Sequence, residues 1–262
     1  MDWGYDNEIG PHTWSRRYPD AAGSSQSPIN IDTNRAEFSS ALEAKPLSFQ
    51  HPQLSNCSLT NTGASFLVAV DAEVAEVEGG PLPGPYRFAQ FHMHWGSSDA
   101  FGSEHALNGK FYPAELHLVH WNAKKYDKFE AAASQRDGLA VLGVMVEIGA
   151  PNAELDKVMR QFDNIKTAGA RTQLSEPVCL NNLLPQDTSK YFTYPGSLTT
   201  PPCFESVCWI LFASQITISR EQLESLRSLK SCHGEPPEPL VNNYRHLIPL
   251  GKRSLLASFN GV

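Results

Sequence analysis

Short runs of apolar and aromatic residues, separated by frequent turn residues, dominate the pattern along the chain. The runs are rich in β-branched and aromatic side chains, which are typical of β-strands. The 19 prolines and 18 glycines are spread throughout, as expected for strands joined by many turns. The predicted strands cover residues 66–70, 89–95, 114–120, 139–148, 207–218 and 255–259.

Helical patterns are fewer. Asn152 can cap a helix whose apolar residues recur at spacings of three and four until Gly169. Ser219 and Gln222 form a capping-box pattern ahead of a second apolar series. A weaker pattern covers residues 124–134. Many strands with a few peripheral helices predict one mainly β (α+β) domain over residues 1–262.

Composition and charge exclude several classes of function. The chain is 41% hydrophobic and 19% charged, which is ordinary for a soluble globular protein. Its net charge of −7 offers no basic surface for nucleic acid or for an anionic membrane. No stretch approaches the roughly 20 apolar residues of a membrane-spanning helix. The N-terminus also lacks the pattern of a secretory signal. We therefore expect neither nucleic acid nor a membrane as a partner.

The cysteines do not resemble a disulfide framework. Their number is odd, their spacings are scattered, and none forms a CxxC pair. Free thiols in a reducing compartment are the simpler interpretation, which predicts a cytoplasmic protein. The five positions are Cys57, Cys179, Cys203, Cys208 and Cys232.

Two predicted strands carry the candidate chemistry. Side chains two residues apart share a face of a strand, so His92 and His94 lie on one face with Gln90. In the second strand, His117 shares a face with Glu115. If the strands are neighbours, the three imidazoles can converge, and three imidazoles plus a water are the ligands of a catalytic zinc.

Spacing alone leaves open that these are ordinary structural histidines. The polar neighbours shift the balance, because a buried amide and a buried carboxylate are costly without a role. Metal-bound imidazoles need an acceptor for their second ring nitrogen, and Gln90 and Glu115 can supply one. The combined pattern favours a metal site.

Six segments of the chain, in the same order, resemble the signature blocks of the α-class carbonic anhydrases. The resemblance covers essentially the whole chain and implies one domain around a large, twisted, mostly antiparallel sheet of roughly ten strands with peripheral helices. It also implies cis peptide bonds at Ser27-Pro28 and Pro201-Pro202. The matching segments are residues 26–31, 90–96, 102–105, 115–122, 194–202 and 241–245.

The resemblance implies a carbonic anhydrase (carbonate dehydratase), a zinc lyase that contributes to pH regulation. A Zn²⁺ ion bound by His92, His94 and His117 would support reversible hydration of carbon dioxide to bicarbonate and a proton, through zinc-bound hydroxide. The carbonyl of Asn243 would hold His94, while Gln90 and Glu115 would hold His92 and His117. Inhibition by anions and sulfonamides follows, and we expect a monomer.

The resemblance also assigns the residues around the substrate. Glu104 would accept the hydroxyl proton of Thr199, so that Thr199 must accept a hydrogen bond from the metal-bound group. His105 and His120 are more consistent with buried structural roles. The implied substrate-binding residues are Val119, Val141, Leu198, Thr199, Thr200 and Trp209.

Two departures from the family pattern stand out. Fast members carry a proton-relay histidine where this chain has Ala64, and alanine cannot titrate. The proton pathway then retains Tyr5 and Thr62, and we expect proton export to be slow. Secreted relatives bridge the position of Cys203, but residues 20–25 supply no partner here.

Two other functions compete with the enzyme at this point. A catalytically silent, carbonic-anhydrase-like binding domain would lack one or more zinc histidines, and none is missing. A different hydrolytic zinc enzyme would usually carry an HExxH motif, which this chain lacks.

Overall fold

The computed structural model describes residues 2–70, 74–234 and 236–261. Strands are the main element within these residues, which confirms the predicted fold class. The first nine are β1 (Asn30–Ile31), β2 (Glu37–Phe38), β3 (Ser48–Gln50), β4 (Gln53–Leu54), β5 (Cys57–Asn61), β6 (Phe66–Val70), β7 (Glu76–Glu78), β8 (Tyr86–Trp95) and β9 (Ala106–Leu107). The others are β10 (Ala114–Trp121), β11 (Leu139–Ile148), β12 (Arg171–Gln173), β13 (Val178–Cys179), β14 (Tyr191–Gly196), β15 (Val207–Phe212), β16 (Ile216–Ile218) and β17 (Leu256–Ala257).

The helices are short and lie between the strands. Within the described ranges, none has the length and apolar character needed to cross a membrane. The α-helices are α1 (Ser40–Ala44), α2 (Phe129–Ala133), α3 (Ala153–Met159) and α4 (Arg220–Ser228). Single 3₁₀ turns cover Trp14–Arg16, Pro19–Ala22, Phe162–Ile165 and Leu180–Leu183.

Side-chain caps begin the two longer helices. The Asn152 side chain accepts from two backbone N–H groups at the start of α3, and Ser219 forms a full capping box with Gln222 at the start of α4. The helix predicted to reach Gly169 is wrong in length, because α3 ends at Met159. Its last turn tightens to i→i+3 bonding, with Gln161 N donating to Val158 O, and a 3₁₀ turn follows.

One large sheet of 13 strands organises the described residues. Its main path runs β12-β5-β6-β8-β10-β11-β15-β14-β17-β2, and β3, β7 and β16 attach beside that path. Most pairings are antiparallel, as predicted; β11 with β15, β11 with β16 and β17 with β2 are parallel. The peptide bonds Ser27-Pro28 and Pro201-Pro202 are both cis.

One predicted strand, residues 207–218, is two strands in the structure. Both β15 and β16 pair with β11, but three residues between them leave the ladder. Here Ala213 N donates to Lys190 O, so the backbone turns to another partner before it returns to β11. A one-dimensional apolar run cannot reveal such a change of partner.

The two faces of the central sheet belong to different clusters of buried side chains. Phe91, Met93 and Leu116 point into the larger cluster, which also contains residues of α3 and α4. Val119 and Val141 point into a smaller one. Because side chains alternate along a strand, the histidines at positions 92, 94 and 117 lie on the same face as the smaller cluster.

Two buried histidines outside this face make stability sensitive to acid. His51 and His120 stack with ring centroids 5.7 Å apart, and both are less than one-tenth exposed. Burial lowers the pKa of His51 to about 4 and that of His120 to about 3, each from an ordinary value of 6.5. The unfolded chain therefore binds more protons than the folded chain between these values and pH 6.5.

We expect the free energy of unfolding to fall as the pH is lowered from 6.5 toward 4, and the contribution of His51 to be complete above pH 6.5. His51→Gln should reduce the fall in the free energy of unfolding across this pH window by roughly 3 kcal/mol. Urea unfolding at several pH values measures it. Equal slopes for the wild type and His51→Gln would contradict the prediction.

Candidate metal centre

The two histidine strands are neighbours in the sheet. Strands β8 and β10 pair antiparallel, with His117 directly opposite His92 and Glu115 opposite His94. One ring nitrogen from each of the three histidines lies within 4.8 Å of the other two. The convergence that strand alternation made possible is therefore present.

The rings of His92 and His94 are each held through one nitrogen. Nδ1 of His92 lies 2.8 Å from Oε1 of Gln90, and Nδ1 of His94 lies 2.6 Å from the carbonyl oxygen of Asn243. Because both partners are oxygen acceptors, each Nδ1 carries the proton and donates. The Nε2 lone pairs of both rings are then left for a ligand.

The His117 ring is held through its other nitrogen, Nε2, and not through Nδ1. Its Nε2 donates to Oε1 of Glu115 at 2.7 Å, so its free lone pair is on Nδ1. The same oxygen also accepts from Nδ1 of His105 at 2.7 Å. Oε2 of Glu115 accepts from the backbone N–H groups of Glu104 and His105, at 2.8 and 2.7 Å. The buried carboxylate is thus fully hydrogen-bonded.

This arrangement explains a second cluster of donor atoms, formed by His105, Glu115 and His117. It is a carboxylate between two donating imidazoles, so its nitrogens are not free to bind a metal. Burial alone would raise the pKa of Glu115, but the His105 and His117 imidazoles outweigh burial and hold that pKa well below its usual value. His105 also contacts the hydroxyl of Tyr194 at 2.7 Å and has a structural role.

The electrostatics favour neutral rings at His92 and His94. Burial is the main cause that lowers the pKa of His92 well below its ordinary value, and the neighbouring histidines lower it further. Burial also lowers the pKa of His94, although Glu104 opposes the shift. Neutral imidazoles are the form that binds a metal ion.

One pair of buried atoms is consistent with a cation at this site. Nε2 of His94 and Oε2 of Glu104 lie 3.4 Å apart, and neither has a hydrogen-bond partner within the described residues. Because Nδ1 of His94 carries the proton, both atoms present lone pairs. Two unsatisfied buried lone pairs are costly unless positive charge lies near them. The donor set of three imidazoles suits Zn²⁺.

Thr199 and Glu104 are both buried, and Glu104 lies beside His94. Oε1 of Glu104 accepts from the backbone N of Arg245 at 2.9 Å, which leaves Oε2 available. The described contacts include no hydrogen bond between Thr199 and Glu104, so that pairing stays a prediction.

The expected apolar wall lies in one cluster. Val119, Val141 and Trp209 are at most 3% exposed and belong to the same group of buried side chains, with Leu198 packed against it. The Trp209 ring also lies against His117, with ring centroids 4.9 Å apart. An uncharged substrate could therefore meet an apolar surface beside the histidines.

A cavity of about 220 Å³ opens onto two of the histidines. It is largely apolar, and strand β6 forms one side because Leu67 is directly opposite His92. Ala64 lines it where the resemblance places a relay histidine. The lining residues are Trp3, Tyr5, Thr62, Ala64, Ser65, Phe66, Leu67, Gln90, His92, His94 and Thr200.

Tyr5 lines this cavity, but its chemistry is unsuited to moving protons at neutral pH. Its hydroxyl is buried and has no hydrogen-bond partner within the described residues. Burial, followed by the nearby Glu104 carboxylate, raises the pKa of Tyr5 well above its usual value. Thr62 bonds within its own turn, where its hydroxyl donates to Ser65 O at 2.8 Å.

Sequence reasoning missed part of the surroundings. The Asn243 side chain accepts from Trp95 N and donates to Ala64 O, both at 2.8 Å, in addition to its carbonyl bond to His94. It therefore links β8 to the loop that carries Ala64. Leu67 was also missed as a lining residue, although the alternation along residues 66–70 contained the signal.

The cysteine expectation agrees with the structure. Cys179, Cys203, Cys208 and Cys232 are free, and Cys203 is fully buried. Burial raises the pKa of Cys203 to about 11, so it remains an inert thiol at neutral pH.

The histidine cluster in this sheet could hold a metal ion, and comparison with known proteins shows the family. Residues 9–259 match the eukaryotic-type carbonic anhydrase family. The chain is 44% identical to carbonic anhydrase 1 of Mus musculus and 43% identical to carbonic anhydrase 3 of Homo sapiens, with 98% of each chain aligned in both cases. The chain belongs to the eukaryotic-type carbonic anhydrase family and is an enzyme of the lyase class.

Proposed function

We propose that this enzyme hydrates carbon dioxide reversibly to bicarbonate and a proton, with Zn²⁺ bound by His92, His94 and His117. The observation that carries the proposal is the convergence of three imidazole nitrogens within 4.8 Å, each on a ring whose other nitrogen is held by an acceptor. When bound there, zinc would activate water as a nucleophile at neutral pH, a chemistry for which carbonic anhydrase is itself the reference case.

The residues behind the histidines set the orientation of the rings. Gln90, Glu115 and the carbonyl of Asn243 fix which nitrogen of each ring carries the proton, and so aim three lone pairs at one point. Such partners raise the basicity of the ligands and limit the rotation of the rings. This supports the assignment of all three as positioning residues.

Thr199 and Glu104 would control hydrogen bonding beside the metal. Oε2 of Glu104 is fully buried, has no hydrogen-bond partner in the described part of the chain, and can only accept while the carboxylate is ionised. A Thr199 hydroxyl that donates to it must use its own oxygen to accept from the reacting group. The pair would then select groups that carry a hydrogen and would orient them toward the substrate.

Val119, Val141, Leu198 and Trp209 would form the site for carbon dioxide. Their shared cluster supports the proposal, because an apolar wall excludes water and offers no competing charge. Thr200 lines the adjoining cavity with His92 and His94 and would contact substrate or product.

Proton export is the weak part of this site. Ala64 occupies the wall of the cavity, and neither its methyl group nor the buried Tyr5 hydroxyl exchanges protons with buffer near neutral pH. Thr62 can at most order water. We therefore propose that maximal turnover is limited by proton transfer and is raised by small imidazole buffers.

We expect Ala64→His to raise kcat in weak buffer by about tenfold or more and to leave kcat/KM nearly unchanged, because only the proton-transfer step gains a general acid–base group. Stopped-flow hydration across a series of buffer concentrations measures both constants. The control Ala64→Asn adds polarity and bulk but cannot titrate, so it should resemble the wild type. An unchanged kcat for Ala64→His in weak buffer would rule out proton export as the limiting step.

Several further assignments follow from the same reasoning. The domain would extend over residues 1–262, beyond the matched residues at both ends. Carbon dioxide, bicarbonate and water would be the ligands, with anions and sulfonamides as inhibitors, and the enzyme would act as a monomer. The free thiols of Cys179, Cys203, Cys208 and Cys232 support a reducing, cytoplasmic location.

Metal content and catalysis together test the function. The purified chain should contain one zinc and catalyse hydration that a chelator abolishes and zinc restores. A zinc-loaded but inert protein would instead indicate a silent binding domain.

A further inference from the structure

One thiol differs from the other four in its surroundings. Cys57 and Cys203 are buried, and Cys179 and Cys208 are half-buried. Burial raises the pKa of both Cys203 and Cys208 to about 11, which keeps them protonated and unreactive at neutral pH. Only Cys232, in the loop after α4, is exposed among the described cysteines.

An imidazole lies against this thiol. Sγ of Cys232 is 3.3 Å from Nε2 of His233. The loop's own hydrogen bonds hold His233 in place: Ser231 Oγ accepts from His233 N at 3.2 Å and donates to His233 O at 3.1 Å, and Glu238 N donates to the same carbonyl at 3.1 Å. A base within reach of a thiol can accept its proton and release the nucleophilic thiolate.

The pair lies at the edge of an open cavity. His233 lines a cavity of about 230 Å³ whose wall also includes Asp6, Ala64 and Glu238. Cys232 packs against the turn before Ala64, because a Cβ on Gly63 would lie only 2.8 Å from its own Cβ. Since Ala64 also lines the cavity of the metal centre, the thiol lies at the rim of that cleft.

We propose that Cys232 and His233 form a thiol–imidazole pair that exchanges with low-molecular-weight disulfides, which makes Cys232 a modification site. The thiol proton passes to the imidazole, and the thiolate attacks one sulfur of the disulfide. A new S–S bond forms to Cys232 as the S–S bond of the reagent breaks. The departing thiolate takes the proton from the imidazolium, so one disulfide and one protein thiol give one mixed disulfide and one small thiol.

The charges around the cavity indicate a suitable partner. Among the described residues, the titratable groups that line it besides His233 are the phenol of Tyr5 and the carboxylates of Asp6 and Glu238. A small cationic disulfide fits both the size and the sign of this cavity. Cystamine, which carries two ammonium groups, is therefore the probe of choice.

The test treats the full-length protein with cystamine at neutral pH, stops the reaction with acid and maps the modified peptide by mass spectrometry. Cys232 should be the first residue modified, and Cys232→Ser should abolish that early modification. His233→Gln should slow it by about tenfold or more, because the thiol loses its base. The control Cys179→Ser removes a half-buried thiol and should leave the early rate unchanged.

The pH dependence separates a base from a purely structural partner. With His233 present, the rate should be high at neutral pH; in His233→Gln it should rise with pH as for a simple exposed thiol. Equal rates in both proteins between about pH 6 and pH 8 would overturn the proposal, as would earlier modification of another cysteine. His233→Asn serves in place of His233→Gln if thermal unfolding shows that the latter is destabilised. Metal-free protein should react in the same way, so the outcome does not depend on catalytic activity.

Discussion

Replacing His94 by glutamine should remove both the bound zinc and the hydration activity. The side chain is 1% exposed, and its free Nε2 faces the buried Oε2 of Glu104. Without this third imidazole the site keeps two nitrogen ligands, which is too few for a stable catalytic zinc centre. Loss of the several kcal/mol that the metal supplies to the transition state should lower kcat/KM by about a thousandfold or more.

The measurement combines zinc content after dialysis with stopped-flow hydration. His51→Gln is the matched control, because it replaces another buried histidine that lies outside the triad. It should keep one zinc per chain and near-normal kcat/KM. If His94→Gln retained a full equivalent of zinc and activity within tenfold of the wild type, the triad would not be the metal site.

How far the sequence predicts this centre depends on the range of the interactions involved. Strand alternation placed His92 and His94 on one face and His117 on one face of another strand, because alternation is a local property of the chain. The alignment of His117 opposite His92 is a matter of register between strands, which alternation does not specify. The register between these two strands was implied only by the resemblance of the surrounding sequence blocks to the family.

Contacts across long stretches of chain were harder to predict. Asn243 reaches back to His94, Trp95 and Ala64 through three separate groups, and the family resemblance implied only its carbonyl bond. Likewise, the apolar run of residues 207–218 hid the point where the backbone bonds to Lys190 instead of β11. In both cases one group has several possible hydrogen-bond partners. The pattern of apolar and polar residues shows where the group lies in the chain but not which partner it binds.

Local polar signals were more reliable than apolar ones. The capping box of Ser219 and Gln222 formed as predicted, because both bonds lie within four residues. The end of the helix that follows Asn152 was missed, since no side chain near Met159 marks where the bonding tightens. In this chain capping side chains mark where the two longer helices begin, whereas the end of the helix after Asn152 depends on how the chain packs.

Glu115→Gln should have the second largest effect, and it should act on both stability and metal affinity. Each carboxylate oxygen accepts two hydrogen bonds, from two imidazoles on one side and from two backbone N–H groups on the other. An amide has only one acceptor oxygen, so in either orientation its NH₂ group faces two of these four donors. Leaving buried donors unsatisfied should cost about 3 kcal/mol of unfolding free energy.

The effect on the metal follows from His117. Without an acceptor for its Nε2 proton, the ring loses both its fixed orientation and its preference for the tautomer with a free Nδ1. We expect zinc affinity to fall by about 10- to 100-fold, as measured by competition with a chelator at a pH where the variant is folded.

A second buried glutamate separates positioning from general destabilisation. Glu154 is 4% exposed and accepts from Lys157, Asn182 and the backbone N of Cys179, so Glu154→Gln should also destabilise the fold. Its contacts within the described residues include none with the three zinc-site histidines, so the zinc affinity of Glu154→Gln should remain that of the wild type. If both variants lost zinc affinity equally, Glu115 would act only through stability; loss confined to Glu115→Gln shows that the carboxylate positions His117 for the metal.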